Sequence, residues 1–232
     1  PVAYSKAGFI WEAALSMKKT VRVYGEFAGR MSGIKQSREE LLKRWEAGES
    51  FANEWHITAP IAPLNNILAR NYPSYTTAIP DVIRARIFLN DFERWKREAR
   101  MPNLVILQLP SDHTFGTTPG RSSPKAMVAD NDLAMGQIVD ALSHSPFWKK
   151  MAIFVVEDDA QNGVDHVDGH RTVALVIGPY VRRNYVDSTM YSQVSMLKTI
   201  ELILGLPSLS LFDLIANAMG ASFTNQPDFR PY

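Results

Sequence analysis

MAIFVVEDDAQNGVDHVDGHRTVALVIGP, residues 151–179, sets two apolar runs around a segment crowded with ionisable groups. Met151 to Val156 and Thr172 to Ile177 read as strands, bounded by polar residues on one side and Gly-Pro on the other. Between them, seven of the fourteen residues from Glu157 to His170 are Asp, Glu or His, in a chain that has five histidines in all. Carboxylates this close repel one another, and water, protonation or a cation must relieve the repulsion. Strands apolar on both faces belong to a mainly parallel sheet covered by helices on both sides, and in such sheets the chemistry gathers beyond the carboxyl ends of the strands.

Working outward, strands and helices alternate. Ala7 to Lys19 has the apolar period of a helix, and Thr20 to Tyr24 alternates like a short strand ended by Gly25. Pro80 to Arg100 is a long helix with Pro80 and Asp81 in its first turn and Pro102 beyond its end. Asn103 to Leu109 is a strand, Pro124 to His144 a helix, Ser192 to Leu204 a helix stopped by Gly205, and Leu211 to Met219 a last short helix. From Phe27 to Ile79 the pattern loosens into an irregular excursion at the edge of the fold, over a site. Its one clear helix, Ser37 to Ala47, opens on Ser-Arg-Glu-Glu, a capping box. The expected class is α/β, a mainly parallel sheet sandwiched by helices, with 232 residues in a single domain.

The totals narrow the function. Lys plus Arg is 25 and Asp plus Glu 24, a net charge of +1, which argues against a dedicated nucleic-acid binder. With no cysteine, disulfides, thiolate metal sites and a cysteine nucleophile are excluded. No stretch reaches the ~20 apolar residues of a transmembrane helix. G-x-S-x-G, a P-loop and a Rossmann glycine fingerprint are absent, and the alternate positions after Asp159 (Gln161, Gly163) do not follow the EF-hand pattern. A structural calcium site remains a separate possibility.

The chemistry-capable residues fall at strand ends: Asp112 and His113 after one strand, Asp158 and Asp159 after the next, and His166 and His170 before the third. Taken singly, each pair could be a solvated loop or a cap. Together they form a set of hard oxygen and nitrogen donors suited to zinc, manganese or iron, one ion or two. A two-metal centre polarises both the entering and the leaving oxygen of a phosphoryl group. The remaining candidates have simpler readings. His56 is structural or exposed, and His144 suits the negative end of its helix. Arg182 and Arg183 either steer an anion or lie in a solvated loop, and the five tryptophans are packing residues.

LPSDHTFGTTPG, MVADNDLAMGQIV, AIFVVEDDAQNGVDHV, DGHRTVALVIGPYV and YSQVSMLKTIELILGLP together resemble the bacterial phosphoesterase family of the alkaline phosphatase superfamily, with its phospholipase C and acid phosphatase branches. The likeness runs from about Asn103 to Pro207. It implies an alkaline phosphatase-like fold and hydrolysis of phosphate mono- or diesters, phospholipid-like substrates included. It also implies divalent metals and a periplasmic or secreted location. By this resemblance Asp158 and Asp159 hold the metal nearest the nucleophile, and Asp112 with His170 holds the other. His113 departs from the superfamily, whose partner histidine lies four residues after the aspartate, where this chain has Gly116. It either takes that role by another loop path or meets the substrate. His166 is a ligand, a group orienting one, or the general acid.

The family's Ser or Thr nucleophile and first acidic ligand lie in an amino-terminal segment resembling E-N-x-x-F-D, which this sequence lacks. The expectation is therefore a carboxyl-terminal portion that needs its amino-terminal part and is inactive alone. The alternative is the same scaffold kept as an inactive surface or binding module.

Overall fold

The computed structural model describes residues 7–29, 31, 34–159 and 171–232. By internal contact the chain divides into two compact units, Val21–Leu142 and a second made of Pro1–Thr20 with Ser143–Tyr232.

The Val21–Leu142 unit is built on β1 (Val21–Tyr24), whose Val-Arg-Val-Tyr alternation buries Val21, Val23 and Tyr24. Helix α2 (Arg38–Glu46) carries the expected capping box: Ser37 Oγ accepts from Glu40 N, and the Glu40 carboxylate accepts from Ser37 N at 2.7 Å. Helix α3 is Asp81–Glu98, β2 is Leu104–Leu107 and α4 is Pro124–Ser143. β1 and β2 pair in parallel, Val21 opposite Leu104 through Tyr24 opposite Leu107. The other edge of β1 is taken by the 27–79 segment: Val23 N donates to Ile67 O at 2.9 Å and Ala69 N to Val23 O at 2.8 Å.

Described residues of that segment also contribute to the core of their unit. Phe51, Leu64, Leu68, Tyr72 and Ile79 are buried. They are spaced by no single period, so they give no helical or strand signal although they fill a core. Tyr24 is the hub, edge-on to Tyr72 at 5.3 Å and to Phe88 at 5.4 Å. Its hydroxyl donates to Asp91 at 2.8 Å; burial, with the Asp91 carboxylate beside it, raises its pKa far above the ordinary phenol range.

The second unit contains α1 (Ile10–Ser16), β3 (Ile153–Val156), β4 (Ala174–Ile177), α5 (Gln193–Leu204) and α6 (Leu211–Ile215). α5 begins after Ser192 and ends on Gly205 in the left-handed conformation, φ 68°, where glycine carries no Cβ penalty. α6 stops four residues short of the expected Met219, because the Met219 amide donates to Thr199 Oγ1 at 2.9 Å instead of to a helical carbonyl. Residues 179–182 are bound by the carboxyl-terminal segment, with Arg182 N on Ser222 O, Thr224 N on Tyr180 O and Asp228 N on Pro179 O. Trp11, Trp95 and Trp148 are buried, in keeping with a packing role.

The expected mainly parallel sheet is met in part. β1–β2 is parallel, whereas β3–β4 is antiparallel, Ile153 opposite Ile177 through Val156 opposite Ala174. Among the described residues each sheet has two strands. The physical reason lies in the connections. β1 and β2 are separated by a long stretch that contains α2 and α3, enough for a crossover, whereas the polar, glycine-containing 157–173 sequence has no helical apolar period and suits an antiparallel return. Apolarity on both faces of a strand reports how it is covered and says nothing about the direction of its neighbour.

Candidate functional site

Asp112 lies beyond the carboxyl end of β2, in the short 3-10 turn Ser111–His113. The residue before it is firmly fixed. Ser111 is fully buried; its amide donates to Asp81 Oδ2 at 2.9 Å and its hydroxyl to Asp130 Oδ2 at 2.8 Å. Asp130, from α4, also accepts from the backbone amides of Asp81 and Val82 at 2.6 and 3.2 Å. A carboxylate of one helix thus satisfies the orphan donors at the start of another. Arg38 completes the node, at 2.5 Å from Asp130 Oδ2 and 2.8 Å from Thr77 O.

Asp81 takes a different part from the one its first-turn position suggests. Its carboxylate turns to Ser111, to Asn131 Nδ2 at 3.1 Å and to Arg84 Nε at 3.4 Å. Burial pushes its pKa up to about 6, with the Asp130 charge acting in the same direction and Arg84 opposing. Asn131 donates as well to Leu109 O at 2.9 Å, and the Arg84 guanidinium donates to the carbonyls of Pro73, Ser74 and Thr76. This buried network joins the end of β2, the start of α3 and the first turns of α4, and it holds the turn that carries Asp112 and His113.

His113 is exposed. Its ring meets Tyr75 edge-on at 5.8 Å, and Nδ1 lies 3.4 Å from Thr114 O. Thr114 follows at φ 56°, ψ 179°, a sparsely populated conformation for a β-branched residue. The backbone therefore bends sharply just after the two candidate side chains.

In the other unit, Asp158 and Asp159 follow β3 after Glu157 and are both exposed. Asp159 N donates to Asp158 Oδ1 at 3.1 Å. Gln193, in the first turn of α5, donates to the backbone carbonyls of Glu157 and Asp158. Thr172 Oγ1 donates to Glu157 Oε2 at 2.9 Å. Glu157 is thus held by the strand entry across from it, which leaves Asp158 and Asp159 as the accessible carboxylates. His166 and His170 lie outside the described residues. Among the described residues no cluster of three or more His, Asp or Glu side chains capable of holding a metal occurs.

Sequence reasoning missed Arg38, Asp81, Arg84, Asp130 and Asn131 as the frame of the Asp112 turn. One signal was present. Met127, Ala134 and Ile138 are buried on α4 and share a face at helical spacing, and Asp130 falls on that same face. A carboxylate within an apolar stripe must find donors.

The half-buried Asp112 after β2 and the exposed Asp158 and Asp159 after β3 each carry hard oxygen donors of the kind that divalent cations take. No helix among the described residues is long and apolar enough to cross a membrane. A crystal structure of a protein in the alkaline phosphatase superfamily from Vibrio parahaemolyticus is similar in fold, at a TM-score of 0.54 and 16% identity, covering 92% of this chain. The chain spans about half of that protein's length, 53%. Among curated proteins none matches. Residues 46–207 match the Phosphoesterase family, a span that contains both candidate strand ends, and the chain belongs to that family.

Proposed function

We propose that the chain is the metal-bearing part of a phosphoesterase acting on phosphate mono- or diesters, phospholipid-like esters among them. The observation that carries this reading is the family match over 46–207 combined with Asp112 placed after β2 and Asp158 and Asp159 placed after β3. Asp112, Asp158, Asp159 and His170 would hold one or two divalent cations, zinc, manganese or iron. A cation bound there would polarise the phosphoryl oxygens and reduce the repulsion that an entering nucleophile meets.

The chain's own residues position these groups. Ser111, anchored on Asp81 and Asp130, fixes the backbone that presents Asp112, and Gln193 fixes the backbone that presents Asp158. His113 meets the cation or the substrate, and His166 holds the proton that the leaving oxygen takes up. In this reading the Ser or Thr nucleophile comes from further polypeptide of the same protein, and the single α/β domain with its larger, helix-sandwiched parallel sheet is complete only with it. The half-exposed apolar strand β2, Leu-Val-Ile-Leu, supports that part of the reading. An exported location rests on the family alone.

Hydrolysis of p-nitrophenyl phosphate and bis(p-nitrophenyl) phosphate, with zinc or manganese, tests the assignment on the natural protein that contains these 232 residues. Turnover that requires a divalent cation and is abolished by Asp112→Asn and by Asp158→Asn is expected. Unchanged turnover in both variants would overturn it.

A further inference from the structure

A polar cleft of about 490 Å³ lies in the Val21–Leu142 unit, beside the beginning of β1 and away from the carboxyl end that carries Asp112. Its lining includes Arg22 of β1, Arg70, Asp91 and Arg94 of α3, Asn66 and Asn71. Its size is that of a small-molecule site, and its chemistry is unusual for a surface groove, because three guanidiniums face one carboxylate.

That carboxylate is already engaged. Asp91 accepts from the Tyr24 hydroxyl at 2.8 Å, pairs with Arg94 at 2.9 Å and lies 3.8 Å from Arg22. Glu98, which is outside the lining, is 3.9 Å from Arg94 Nε. Among the described residues the Arg70 side chain makes a single long bond, 3.4 Å, to the Asn65 carbonyl. The Arg22 Nε–H is buried and has no hydrogen-bond partner among the described residues. A buried guanidinium donor left unmade is costly, and the Arg22 side chain that carries it lines the cleft. Three positive groups against one carboxylate leave the lining with two positive charges, which matches a dianion. The planar forks of arginine suit the oxygens of a phosphate monoester, and the asparagine amides, donor and acceptor both, suit hydroxyl groups beside it. His56, exposed, also lines the cleft.

We infer that this cleft binds a small phosphorylated molecule through Arg22, Arg70 and Arg94, at a site separate from the strand-end carboxylates. The inference does not depend on the phosphoesterase reading, since it uses none of its residues.

Isothermal titration calorimetry of the chain in EDTA at low ionic strength tests it, with glycerol 3-phosphate, inorganic phosphate and malonate as separate probes. One-to-one binding of both phosphates is expected, weakened about tenfold or more in Arg70→Gln/Arg94→Gln and weakened by added salt. Both arginines are exposed, so the double variant keeps its fold, which far-UV circular dichroism verifies. Because EDTA removes cation-dependent binding, and because Asp112→Asn/Asp158→Asn is expected to bind as the parent does, the result is independent of the strand-end site. Absence of heat with either phosphate, equal affinity in the double arginine variant, loss of binding in the double aspartate variant, or malonate binding as tightly as phosphate would each overturn the inference.

Discussion

Asp130 accepts from four donors, Arg38, Ser111 and the amides of Asp81 and Val82, and both it and Arg38 are nearly excluded from water. Removing one member of a buried ion pair strands the other, at roughly 3–5 kcal/mol. Asp130→Ala is expected to lower unfolding stability by about that amount in denaturant titrations, with Asp130→Asn intermediate. Asp81 and Glu201 set a pH dependence. Burial raises Asp81 to about 6; burial, and then the neighbouring Asp213, raises Glu201 to about 7. A carboxyl whose folded pKa is raised binds its proton better folded than unfolded. Its contribution is therefore fully present below the unfolded value near 4 and is lost as pH rises through the folded one. Stability from these two groups should fall between pH 4 and 7, and Glu201→Gln should flatten the upper part of that fall, read as denaturation midpoints at pH 5, 6 and 8.

At the scale of elements, two glycines make opposite forecasts. Gly136 lies exposed inside α4 with no atom within 4 Å of an added Cβ, so Gly136→Ala should stabilise by about 0.5–1 kcal/mol. A Cβ on Gly178, after β4, would lie 2.8 Å from the Met151 carbonyl oxygen. Gly178→Ala should cost ~1–3 kcal/mol; thermal midpoints distinguish the two signs. The elements themselves were legible because their signals are local. Ser37 and Gly205 mark helix ends by their own chemistry, and the short apolar runs at 104–107, 153–156 and 174–177 are strands in the structure. Pairing was not legible, since nothing in Ile-Phe-Val-Val says whether its neighbour runs with it or against it. Of the candidate site, the positions after strand ends could be read from order alone. The Asp130 node could not, because its partners come from residues 38, 81, 82 and 111, which only folding brings together.

On the scale of the whole molecule, the distribution of apolar surface matters most. The Tyr24 hub is closed, but Leu202, Ile203, Leu211, Phe212, Leu214 and Ile215 on α5 and α6 are each more than half exposed. Phe212 and Ile215 also line an apolar cleft of about 290 Å³. Exposed apolar surface of this extent promotes association. Sedimentation velocity is expected to show concentration-dependent association of the isolated chain, diminished in Phe212→Ser/Ile215→Ser, with unchanged far-UV circular dichroism.

The edge-on approach of Tyr75 to His113 gives the end of β2 its own magnetic probe. An aromatic ring's induced field displaces the resonances of protons held near its perimeter or face, so the imidazole carbon-bound protons carry a signature of their distance from the phenol. Any cation or phosphoryl group that draws the imidazole away would change that signature. A titration followed on one pair of proton signals would then register arrival at this turn before any turnover is measured.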